Sequence, residues 1–96
     1  MWTDEKVMFY ARDRFGLSGE SVREFPSGAR SYPMGSDLAR TVGRLLADGH
    51  LEARTKVTRV PETRGTGFLD CAAHVLTSTT YHATDAGLAA WVKGTL

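Results

Sequence analysis

The chain has 96 residues, 42% hydrophobic and 24% charged, which suits one small globular domain with a single core and leaves no room for a second. Twelve lysines and arginines against eleven acidic residues give a net charge of +1, so an overall cationic field is excluded and any attraction for polyanions must come from local clustering. No apolar run is long enough to cross a bilayer, no basic-then-apolar leader is visible, and the lone cysteine, Cys71, has no internal disulfide partner, so a cytoplasmic, reducing setting is expected.

Thr3 followed by Asp4 and Glu5 reads as an N-cap with acidic residues over the positive end of a helix dipole. Gly16 is placed to end that helix, predicted over residues 4–15. Val7, Ala11 and Phe15, with Met8 and Tyr10 beside them, share one side of its wheel. Phe9 falls almost opposite, and Trp2 would join it if the helix began slightly early; such outward aromatics are either partly covered by the chain termini or contacts in a homodimer. Leu17 to Phe25 suggests a second, short helix, capped by Ser18 or Ser21 and ended by Pro26, with Val22 and Phe25 turned inward. The turn-forming stretch from Pro26 to Gly35 is then a loop, until Pro33 or Ser36 opens a third helix.

The third helix carries Leu38, Val42, Leu45 and Leu46 at i, i+4, i+7 and i+8, one apolar stripe, with Arg40 and Arg44 on the far side and Gly49 as its stop. Leu51 to Val60, with Val57, Val60 and alternating charges, reads as a strand bounded by Pro61. Phe68 to Tyr81 supports a second strand, joined through a tip over Pro61 to Gly67; a short helix over residues 69–75 is the alternative. Thr84 and Asp85 then cap a last helix bearing Leu88, Trp91 and Val92. The predicted class is α+β: three helices, a two-stranded β-hairpin and a C-terminal helix. Its expected core joins Leu38, Val42, Leu45, Leu46 and Leu51 to Val7, Ala11, Phe15, Leu88 and Trp91.

Two local patterns sharpen this. One is Leu38-x3-Val42-x2-Leu45-Leu46-x2-Gly49-x-Leu51-Glu52-x-Arg54, a helix running into a strand; the other is Tyr81-His82-Ala83-Thr84-Asp85-Ala86-Gly87, a strand running into a helix. In this order the sequence resembles the winged helix-turn-helix domains of bacterial and phage transcription regulators such as the MarR and PadR families. The resemblance implies sequence-specific duplex DNA binding by a small transcriptional regulator. With the third helix in the major groove, Ser36, Asp37, Arg40, Thr41 and Arg44 are the residues able to reach base edges or phosphates. The hairpin would be a basic wing holding Arg54, Lys56 and Arg64 against the backbone, with Arg59 alternating to the other side of its strand. One recognition helix and one wing cover little DNA, so a homodimer through Trp2 and Phe9 is expected.

Catalysis and cofactors are not expected. His50, His74, His82 and Cys71 match no zinc-ligand spacing, and Arg64-Gly-Thr-Gly67 lacks the Lys-Ser/Thr ending of a phosphate loop. Nothing places a nucleophile beside a base and its orienting group. Arg12, Arg14, Arg23 and Arg30 are scattered and take no role. The rival from another class is a small interaction module, for instance a phage or mobile-element factor that binds and inhibits a host protein. A continuous face of Arg40, Arg44, Arg54, Lys56 and Arg64 favours DNA; interruption by Asp37, Asp48, Glu52 and Glu62 favours the protein partner.

Overall fold

Thr3 caps helix α1 (Asp4–Ala11) in the computed structural model, which describes residues 1–63 and 72–96; its hydroxyl accepts the Lys6 N–H at 3.2 Å. The helix is a turn shorter than the apolar spacing predicts. The chain bends through residues 12–15 and Gly16, at φ +69°, so Leu17 enters the core while Phe15 is 69% exposed. A left-handed backbone favours glycine at that point, and it marks the entry to a strand.

The expected second helix is a strand, and the expected loop after it is another. Strands β1 (Leu17–Phe25) and β2 (Gly28–Tyr32) form a hairpin around Pro26-Ser27, with Phe25 opposite Gly28. Proline at the second turn position presets φ, and Gly28 at the fourth adopts φ +139°. Ser18, Gly19 and Ser21 weaken any helix here, because serine side chains compete for backbone hydrogen bonds and glycine loses most entropy on ordering. Pairing then decides the outcome: Val22 lies opposite Ser31 on one side and Thr77 on the other, partners that only the folded chain supplies.

Helix α2 (Ser36–Ala47) follows, closed by Asp48 and by Gly49 at φ +78°, and leads into strand β3 (Leu51–Val60). Strand β4 (His74–Ala83) returns to helix α3 (Asp85–Lys93), where Thr84 accepts the Gly87 N–H at 3.0 Å. The predicted start of the second strand at Phe68, part of the tip and Cys71 lie outside the described residues. The sheet is antiparallel throughout, in the order β2-β1-β4-β3. Among the described residues, three helices and a four-stranded sheet in this order are α+β but not a winged helix. The hairpin read as a free wing is half of the sheet, because β1 takes the other edge of β4.

The core gathers Val7, Met8, Ala11, Val42 and Leu45 from the helices with Leu17, Leu51 and Tyr81 from one face of the sheet; Leu38, Leu46 and Trp91 pack partly buried around them. All these strand residues lie at one end. The rest of the sheet projects beyond the helices, giving an elongated molecule of 54 × 24 × 20 Å. Among the described residues no helix is long and apolar enough to cross a membrane.

Two junctions give predictions. Gly87 is buried against the carbonyl of His50, and a Cβ there would overlap that backbone. Gly87→Ala is expected to cost about 1–3 kcal/mol or more, read as a lower denaturant midpoint, because backbone cannot swing aside as a side chain can. Tyr81 is buried and its hydroxyl donates to both Glu20 carboxylate oxygens at 3.0 and 3.1 Å; burial first, then that bond, pushes its pKa up to about 12. The unfolded chain releases this proton near pH 10, so the contribution is intact below pH 10 and lost as pH rises towards 12. Urea unfolding across that window is expected to show a loss of about 2–3 kcal/mol in the wild type that Tyr81→Phe lacks.

Candidate nucleic-acid interface

Helix α2 spends most of its expected reading residues on the fold. Asp37 accepts the backbone N–H of Trp2 at 2.7 Å, and buried Thr41 donates to the Trp2 carbonyl at 3.0 Å, within reach of the Asp37 carbonyl at 3.2 Å. Arg44 forms a two-armed ion pair with Asp4, one arm at 3.0 Å, and that bond raises the guanidinium pKa above its ordinary value. These contacts clamp the N-terminal segment along the helix. Ser36 and Arg40 remain exposed.

The expected dimer residues sit beside this clamp. Trp2 is half-buried against the core, with Lys6 4.8 Å above its ring and Tyr10 at 5.7 Å, whereas Phe9 is 51% exposed under Arg12 at 4.5 Å. Phe9 therefore points outward, as its place on the wheel predicts.

Strand register divides the cations of the sheet. Paired residues share a face and alternate residues change face. The face bearing Leu17, Leu51, Tyr81 and Ala83 is the inner face, against which the helices pack. Arg54 and Lys56, opposite Thr80 and Ser78, belong to the other, open face. Helix α2, with Arg40 and Arg44, thus lies over one side of the sheet while Arg54 and Lys56 project from the other. Arg64 lies outside the described residues. The expected helix-plus-wing surface is divided.

A different set comes together instead. Ser21 pairs with both Ser78 and Tyr32, and Ser78 pairs with Lys56; one step along, Arg23 pairs with Leu76 and Arg30. Among the described residues, Arg23, Arg30, Arg54 and Lys56 therefore share the open face with one carboxylate, Glu52, which is paired to Arg54 through an Nε–Oε1 bond of 3.0 Å. The inner-face positions beyond the core carry Glu24 and Arg59, so the excess of positive charge is confined to one side. Among the described residues, no carboxylate forms an ion pair with Arg23, Arg30 or Lys56. Between these cations lies a floor of Ser21, Ser78, Thr80, Thr58 and Leu76, flanked by Tyr32, 42% exposed.

Arg23 is held in place. Its guanidinium lies 2.7 Å from His74 Nε2, and His74 Nδ1 lies 2.9 Å from the Ala72 carbonyl. A carbonyl only accepts and a guanidinium only donates, so Nδ1 carries the proton and Nε2 accepts from Arg23. Phe25 lies tilted against the imidazole, with centroids 4.6 Å apart. A helix followed by a loop gives Arg23 and Arg30 no spatial relation, so the sequence pattern alone does not bring them together. The signal was Phe25-Pro26-Ser27-Gly28, a two-residue hairpin loop that sets them directly opposite each other.

No protein-family model, curated protein or solved structure matches this chain.

Proposed function

We propose that this protein binds nucleic acid through the open face of its sheet, with Arg23, Arg30, Arg54 and Lys56 against phosphates. The observation that carries this reading is the segregation, among the described residues, of four cations and one carboxylate onto the face of the sheet turned away from the helices, in a chain whose net charge is only +1. Phosphate contacts work by releasing condensed counterions, so the reading makes a salt-dependent prediction. Fluorescence polarisation with labelled single-stranded and duplex 12-mers is expected to show binding at low salt that weakens at moderate salt. Lys56→Ala is expected to weaken binding to every sequence and to flatten the log–log salt slope by about 0.7–0.9, one contact. Arg40→Ala is expected to leave affinity unchanged, because α2 packs against the opposite side of the sheet. A loss of about 1–3 kcal/mol in Arg40→Ala, confined to a preferred duplex site, would instead support a helix that reads bases.

The interaction-module reading has its own observation. Phe9, Tyr10 and Phe15 are exposed at the helical end, and Phe9 meets Tyr10 edge-on at 5.5 Å. Absence of binding to either nucleic acid at low salt would transfer the proposal to a protein partner at that end.

A further inference from the structure

The open face carries features that select among nucleic acids, an inference that rests on the reading above. Its cations occupy both edge strands, Arg30 on β2 and Arg54 and Lys56 on β3, with β1 and β4 between. Three strand spacings separate those edges by about 14 Å before side chains are added. A duplex major groove is about 12 Å wide and admits a helix or a two-stranded ribbon. A face built on four strands is wider than that groove, so on a duplex it would lie across the backbones rather than insert its cations into the major groove.

The same face fits a flexible strand with its bases turned out. Arg23 and Arg30 are directly opposite neighbours, a like-charge cross-strand pair that destabilises a sheet unless an anion lies between them. His74 fixes one of the two guanidinium groups beside the other. Two residues along β2 from Arg30, on the same face, Tyr32 stands opposite the small Ser21, and among the described residues no second ring or cation packs on it. A bare aromatic ring beside a phosphate site is what base stacking needs, and stacking tolerates any base because each has a π-face.

We infer that the ligand is single-stranded nucleic acid, laid across the open face with a phosphate between Arg23 and Arg30 and the adjoining base stacked on Tyr32. The test compares labelled dT12, a 12-base-pair duplex and inorganic polyphosphate of equal charge as competitor. The wild type is expected to prefer dT12 over duplex, with polyphosphate competing poorly because it has no bases. Tyr32→Ala is expected to weaken dT12 binding by about five- to a hundredfold and to leave duplex binding unchanged, with Tyr32→Phe close to wild type. Because the competition uses unaltered protein, it decides the matter even if Tyr32→Ala folds poorly. Equal or tighter duplex binding, or polyphosphate competing as well as unlabelled dT12, overturns the single-strand inference while the nucleic-acid reading stands. Failure to bind either nucleic acid at low salt overturns both.

Discussion

Arg30→Glu is expected to make the protein more stable and a poorer binder at once. In the wild type Arg30 faces Arg23 across the β1–β2 ladder, and like charges in that relation are unfavourable. A glutamate there would face Arg23 with opposite charge, a change worth about 0.2–1 kcal/mol of stability, read as a higher urea midpoint. The same substitution removes one phosphate contact and adds a repelling charge beside another. Nucleic-acid affinity at low salt is therefore expected to fall by on the order of tenfold or more, with the salt slope shallower by at least one contact. The two readouts moving in opposite directions identify a site where the fold tolerates a local conflict for the sake of a ligand. If stability rises and binding is unchanged, the arginine pair is a solvated surface feature and the open face loses its central contact.

Leu45→Ala is expected to cost about 2–5 kcal/mol. Leu45 is 1% exposed and belongs to the cluster joining Val7 and Met8 of α1, Val42 of α2 and Leu51 and Tyr81 of the sheet. Truncation leaves a cavity where all these elements meet, and the long sheet beyond the helices offers little other burial to compensate. Against a total of about 5–15 kcal/mol for a small domain, that loss brings the protein close to unfolding at room temperature. Chemical denaturation followed by far-ultraviolet circular dichroism measures it. An unchanged midpoint would mean that α2 does not turn this stripe towards the core.

Local chemistry alone determined several parts of this fold. Thr3 and Thr84 start helices because each supplies an oxygen to an unsatisfied backbone N–H, Gly49 ends one because it accepts positive φ, and the i, i+4, i+7 stripe of α2 selects its buried face. Strand β3 was legible in the alternation of Arg54, Lys56 and Thr58 with their apolar and threonine neighbours. These are interactions within a few residues, and they survive in any context. The tertiary structure decided what Leu17–Phe25 became, since its serines and glycine are indifferent and its partners on β4 lie more than fifty positions away. It also decided the site. Arg23 and Arg30 belong together because a hairpin aligns them, and they join Arg54 and Lys56 because β1, rather than solvent, occupies the free edge of β4. Asp37, Thr41 and Arg44 turned from reading residues into a clamp because Trp2 and Asp4 arrive beside them from the other end of the domain. Strand register and the partners brought in from distant sequence set which side chains share a surface, and both arise from long-range pairing and burial that no local pattern encodes.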